Sequence, residues 1–446
     1  MASTLPPKDR YWAVWLAFFV LGVGTLLPWN FFITANKYFE ERLAGEVEAR
    51  GGNSSEGPRP LTPLQRSFSN AMTLCAMLPM LVFTCLTSFL HARVSQRVRV
   101  LSGLVAILLL FVVTAALVRV ASLDSRPSLF FSITMASIVL INSFGAVLQG
   151  SLFGLVGLLP VPYTTALMSG QGIAGVFAAL SMISAMISGA QEERDSVFGY
   201  FVTACVVTLV AIVAYLSLSH LAFARYYLTP CRDLDGNPGL ISPDERDREG
   251  LSGVGVMMVE EPSPASRSAL KMSVVQVFFK IWPMAICVCL VYTVTLAVFP
   301  AVTAGVQSSS QDPTWRRFFV PVWCFLFFNI LDWAGRSATA VFMISSSWLP
   351  PVLVCARSLF IPLFMLCNAS PDSRSLPVLF HHDAAYIVFM ILFAFSNGYL
   401  ASLFVCFGTM RLSGPDSETA GTVMMFFLSL GLALGAASSF VFRALL

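Results

Sequence analysis

Asn329, Asp332 and Arg336 stand in FLFFNILDWAGRSATAVF, inside a stretch that is otherwise almost wholly apolar. Their spacing of i, i+3 and i+7 puts all three on one face of a helix. A lone charge at bilayer depth costs about 2.5–3.5 kcal/mol on insertion scales, and such residues usually line a bundle interior or a polar cavity. The chemistry implied is recognition along a water-filled path through a membrane bundle. The plainer alternative is an Asp–Arg pair, four residues apart, that only neutralises itself. Asn329 extends the polar face by a further turn, which a simple pair does not need.

A second polar face lies in IVLINSFGAVLQGSLFGLVG, where Asn142, Gly145 and Gln149 again fall at i, i+3 and i+7. An amide offers two donors and an acceptor oxygen, which suits the edge of a planar heterocycle. An interhelical hydrogen bond is the alternative for Gln149. In LGVGTLLPWNFF, Pro28 is expected to break the first helix near its outer end, with Trp29 and Asn30 following where backbone groups can face a cavity. Arg99 and Glu418 each open an apolar span and can pair as an inner gate, although an interfacial Arg is more often a snorkelling anchor. Gly150 and Gly154, Gly170, Gly172 and Gly175, and Gly431 and Gly435 read as sites of close helix packing.

Only membrane helices can position these residues. The 446 residues are 57% hydrophobic and 11% charged, against roughly 25% charged in soluble domains. The class is therefore an all-α polytopic membrane protein. A net charge of +3 without a basic aromatic patch argues against nucleic acid as a partner, leaving membrane lipid as the surroundings. The 10 Cys lie mostly in apolar spans and read as small core residues, so neither a disulfide framework, a metal site nor a cofactor is expected. His91, His220, His381 and His382 fall at or beyond span ends, which argues against an intramembrane enzyme.

About eleven spans are expected, near 12–33, 67–90, 99–121, 128–154, 163–188, 196–218, 272–298, 317–343, 349–367, 384–407 and 417–443. The loop HARVSQRVR, with Arg93, Arg97 and Arg99 and no acid, is expected to be cytoplasmic. That sets the N-terminus inside, the C-terminus outside, and the glycosylation sequon at Asn53 in an extracellular loop. The Pro-, Gly- and Ser-rich segment 219–271 reads as a disordered cytoplasmic linker. It divides the chain into a six-helix lobe, 1–218, and a five-helix lobe, 272–446. This 6+5 plan suggests a two-lobed transporter that rocks about a midplane site.

The segments FFVLGVGTLLPWNFFITA, NAMTLCAMLPMLVF, INSFGAVLQGSLFGL, FNILDWAGRS and FAFSNGYLASL closely resemble the equilibrative nucleoside transporter family, across nearly every span. The resemblance is to the vertebrate plasma-membrane branch. It implies a major-facilitator-like fold with eleven helices, and facilitative transport of purine and pyrimidine nucleosides such as adenosine and uridine. Nucleobases such as hypoxanthine are carried by some members. By resemblance, Gln149 contacts the base, and Asp332 and Arg336 handle the ribose. Leu26, Met77 and Trp29 wall the cavity, with Asn30 beside them. Arg99, Phe325, Asn329 and Glu418 form the cytoplasmic gate, and Ile33 and Pro300 the thinner outer gate. Ile33 occupies a position where the family carries Met or Ile, and Ile implies weaker inhibition by vasodilator-type compounds. The competing transport readings are an organic-cation or monoamine carrier, which needs an unpaired acid in the cavity, and a proton-linked nucleoside carrier through Asp332.

Overall fold

Apolar runs of this length can satisfy their backbone in lipid only as helices, and the computed structural model is built of them. It describes residues 7–43, 62–90, 93–120, 125–188, 193–228, 272–346, 348–369 and 374–446. Asn53 and residues 229–271 of the expected linker lie outside the described residues.

The first lobe contains α1 (Ala13–Thr34), α2 (Pro63–Leu90), α3 (Gln96–Arg119), α4 (Pro127–Gly157), α5 (Val161–Ser188) and α6 (Glu193–Leu218). The second contains α7 (Val274–Val298), α8 (Pro313–Ala338), α9 (Leu349–Met365), α10 (Asp383–Met410) and α11 (Pro415–Leu445). Ten of these are long and apolar enough to cross a membrane, and α9 is a shorter apolar helix. Among the described residues there is no strand, only isolated bridges from Val306 to Ala369 and from Cys367 to Phe380.

Four local features depart from the sequence expectations. Pro28 does not break α1, which runs on to Thr34. A membrane helix tolerates a missing N–H when side chains and neighbours take over the freed groups. The carbonyl left without its donor is that of Gly24, and Gly24 sits in a close seam against Ala211 of α6, while Gly22 lies directly against the α5 backbone. The eighth span ends at Ala338, short of the expected 343. The Thr339 hydroxyl takes the Arg336 carbonyl, and Tyr399 then captures the backbone of Phe342 and Ile344. Within α8, residues Val320–Leu326 widen into π geometry around Pro321, one turn before Asn329. Finally, the linker begins with order. Ala222–Leu228 is helical, and Phe223 of that turn packs on Tyr163 at the start of α5, with ring centroids 5.0 Å apart.

Glycines set the closest seams. A Cβ at Gly398 of α10 would collide with the Asp332 carbonyl oxygen, and one at Gly335 of α8 with the Phe395 carbonyl oxygen. The two helices therefore touch backbone to backbone at the level of Asp332. Gly154 and Gly157 of α4 do the same against Glu418 and Ser417 of α11, across the two lobes. Over-packing such contacts typically costs about 1–3 kcal/mol, and backbone atoms cannot swing aside. We expect Gly398→Ala to lower the melting temperature of the purified protein. Gly145→Ala, whose Cβ meets open space, should not. Equal melting of the two variants would refute this account of the α8–α10 seam.

Candidate functional site

The buried polar residues of α8 form a network with α7, α9 and α10. The Arg336 Nε donates to Asp332 Oδ2 at 2.7 Å, joining residues one helical turn apart. They are 6% and 5% exposed, so the pair is shielded from bulk screening. Asp332 Oδ1 accepts from the Asn397 side-chain amide at 2.6 Å. Arg336 Nη2 donates to the Tyr292 hydroxyl at 3.2 Å. Its Nη1 faces only the Met168 sulfur at 4.0 Å. A thioether is a weak acceptor, so a ligand hydroxyl arriving there would gain a bond that the protein does not make well for itself.

Behind Asn397 lies a second buried cation. Arg357, 2% exposed, donates through Nη2 to Thr295 Oγ1 at 2.9 Å and through Nη1 to the Phe393 carbonyl at 2.7 Å. It also bonds Ser396 Oγ and sits over the Phe393 ring, 4.8 Å from its centroid. Arg357 is placed where α9 is interrupted by a tighter turn at Arg357–Leu359. The site thus holds one carboxylate and two guanidinium groups, which disfavours a cationic ligand.

Across the lobes, Gln149 is buried in α4, and its amide makes no hydrogen bond to another described residue. The amide atoms themselves are not sealed off, so water or a ligand can meet them. Leu26, Trp29 and Met77 are half-buried and packed against the main apolar core, and Trp29 stacks on Phe32 at 6.5 Å. Asn30 is half-buried beside Trp29, with its carbonyl accepting from the Thr34 hydroxyl at 2.8 Å.

At one end of the bundle the lobes are closed. Arg99 Nη2 of α3 lies 3.2 Å from Glu418 Oε1 of α11, and Arg99 is 6% exposed. The Ser417 hydroxyl donates to the Gly157 carbonyl at 2.6 Å, and Ser88 reaches the Thr422 carbonyl at 3.1 Å. Glu418 also sits in the first turn of α11, where a negative charge favours the helix dipole. At the other end Ile33 is 40% exposed and Pro300 is exposed.

The four residues grouped as one gate do not stay together. Arg99 and Glu418 meet, but Phe325 lies edge-on to Phe299 at 5.9 Å, beside Pro300 and toward the opposite end. Asn329 donates to the Phe325 carbonyl at 2.8 Å and fills the space left by Gly175 of α5. The reason is the length of α8. Phe325 and Asn329 follow its Pro313 start by only three to four turns, so they cannot reach the first turns of α3 and α11. They belong to the α5–α8 seam. There the Trp333 indole also donates to Ser169 at 3.0 Å, and Ser169 and Ser337 share a hydrogen bond of 2.8 Å.

The sequence reading passed over Tyr292, Thr295, Arg357 and Asn397. Arg357 carried the same signal as Asp332, an ionisable residue inside an apolar span.

Comparison with known proteins places these observations. Residues 135–444 match the family described as Nucleoside transporter. The chain is 52% identical to Equilibrative nucleoside transporter 1 of Homo sapiens over 465 residues, covering 100% of both chains. It is 49% identical to Equilibrative nucleoside transporter 2 of Homo sapiens, again over 465 residues and 100% of both. Among solved structures it resembles the major facilitator superfamily proton:xylose symporter XylE with a TM-score of 0.55 at 13% identity, covering 97% of this chain and 87% of that one. This last likeness concerns the fold alone.

Proposed function

Because the chain belongs to the equilibrative nucleoside transporter family, and is a facilitative nucleoside transporter, we propose that it carries purine and pyrimidine nucleosides by alternating access, with the ribose at Asp332 and Arg336 and the base at Gln149. The observation that carries this reading is the Asp332–Arg336 pair, buried in one lobe, with Gln149 in the other, whose amide has no partner among the described residues. Ribose hydroxyls donate to the carboxylate and accept from Arg336 Nη1. Hydrogen bonds to charged groups contribute about 1.5–3 kcal/mol each, enough to select a sugar by its hydroxyls. The base packs among Leu26, Trp29 and Met77.

Alternating access then needs two gates. The Arg99–Glu418 pair serves as the inner one, on the cytoplasmic side, with Ile33 and Pro300 at the extracellular mouth of a plasma-membrane protein. Both Asp332 oxygens already accept from protein donors, so transport proceeds without a coupled proton. A monoamine carrier is disfavoured by the two guanidinium groups around the one acid.

In proteoliposomes without an imposed ion gradient, labelled uridine is expected to enter saturably and stop at equal concentration on both sides. Parallel hypoxanthine uptake reads whether nucleobases are accepted. Uridine entry only under a proton or sodium gradient would overturn the uncoupled mechanism.

A further inference from the structure

Arg357 touches neither gate nor any residue assigned to the base, yet it is among the largest fully buried side chains in the protein. Its hydrogen bonds run toward the ribose site. Nη2 donates to Thr295 Oγ1 at 2.9 Å and lies 3.5 Å from Asn397 Oδ1. The Thr295 hydroxyl stands 2.7 Å from Asn397 Oδ1 and 2.8 Å from its own Val291 carbonyl. The Asn397 amide then reaches Asp332 Oδ1 at 2.6 Å.

The ends of this chain fix its direction. A guanidinium can only donate and an ionised carboxylate can only accept, whereas a hydroxyl and an amide can be read either way. Arg357 donates to Thr295 and faces Asn397 Oδ1, and the one Thr295 proton is shared between Asn397 Oδ1 and the Val291 carbonyl. Asn397 Oδ1 faces donors, so its NH2 must face Asp332. Turned over, the amide would set an oxygen against the carboxylate. Asp332 is thereby held by two donors, Arg336 on Oδ2 and Asn397 on Oδ1, and its remaining lone pairs are left in a defined plane.

We propose that Arg357 is a positioning residue for sugar recognition: acting through Thr295 and Asn397, it fixes the orientation of the Asp332 carboxylate and hence the preference for ribose over a deoxy sugar. This rests on the reading that Asp332 meets the ribose. The rival role is a plain staple, since Arg357 also ties α9 to the Phe393 carbonyl and Ser396 of α10. A staple would change the amount of folded protein and leave sugar preference alone.

The two roles separate in the Michaelis constants for uridine and 3′-deoxyuridine, measured per transporter at the surface. In Arg357→Met the uridine KM should rise about tenfold, the loss of one well-placed hydrogen bond to a charged group. The 3′-deoxyuridine KM and both maximal rates should change little. Arg357→Lys, which keeps a charged donor, should recover part of the ratio. Thr295→Val removes the relay hydroxyl with little change of shape, and should move the ratio the same way even if Arg357→Met reaches the surface poorly. In an Asn397→Ala background, Arg357→Met should move the ratio no further. An unchanged ratio in both Arg357→Met and Thr295→Val, with only surface amount or maximal rate reduced, would leave Arg357 a staple. Thermal stabilisation of purified Asp332→Asn by the two nucleosides distinguishes the deeper failure. If that variant loses the ribose preference while Arg357→Met keeps it, only the relay is wrong. If both keep it, Asp332 does not meet the ribose at all.

Discussion

Asp332→Ala is expected to reduce uridine uptake by about a hundredfold or more at equal surface abundance, since two charge-assisted hydrogen bonds of about 1.5–3 kcal/mol each are at stake. The carboxylate bridges Arg336 and Asn397, so its removal also leaves Arg336 and Arg357 buried without a counter-charge. Breaking a buried pair from one side costs about 3–5 kcal/mol, and some of the loss could come from folding. Asp332→Asn separates the two effects. It preserves size and one acceptor oxygen but removes the charge, and it should mature to the surface better than Asp332→Ala while still transporting poorly. Surface biotinylation alongside uptake reads both quantities. Normal transport per surface molecule in either variant would remove Asp332 from the ribose site.

Removing one partner of the Arg99–Glu418 pair is expected to open the inner end. The two side chains belong to different lobes, lie 3.2 Å apart and are shielded from solvent. Two further nitrogens of Arg99, Nε and Nη1, have no hydrogen-bond partner among the described residues, and Glu418 is the acid that faces the buried charge. Arg99→Ala or Glu418→Gln should shift the balance between closed and open inner states by about a hundredfold to a few thousandfold, following the 3–5 kcal/mol associated with a broken buried pair. Ser417 reports the change, because its hydroxyl sits in the same seam against the Gly157 carbonyl. A Ser417→Cys side chain, in a background with the 10 native Cys replaced, should react slowly with a thiol reagent in the parent. It should react far faster in the gate variants, and intermediately when the charges are exchanged as Arg99→Glu with Glu418→Arg. Equal labelling rates in all three would show that the pair does not hold the lobes together.

What was readable in the sequence follows one physical rule. Helix limits emerged within a few residues because hydropathy decides where a chain can leave a bilayer, and Asp332 with Arg336 emerged because charge inside such a span is conspicuous. Pro28 misled because the missing N–H was weighed without the close packing of α1 on α5 and α6 at Gly22 and Gly24, which holds the helix in place. Gate membership misled for Phe325 and Asn329 because a family label groups residues by role, while the depth of each along α8 is a matter of geometry. Asn397 and Thr295 were hidden for a different reason. Each looks ordinary on its own helix: the Gly398 contact, which draws α10 against α8, makes Asn397 a neighbour of the carboxylate, and Thr295 of α7 joins only through Asn397.

That backbone-to-backbone contact has a mechanical corollary. With Gly335 and Gly398 leaving no slack between α8 and α10, the frame proposed to grip the sugar is stiff, and on that reading adjustment to different cargo falls to the opposite lobe. The nucleoside then acts as a strut between a fixed anchor and a movable wall, and its base sets the width at which the two halves come to rest. On that reading a purine, being longer than a pyrimidine, would prop the halves wider apart. Discrimination between the two would therefore be felt in how quickly the protein can swing shut around its cargo, more than in how tightly the sugar is held.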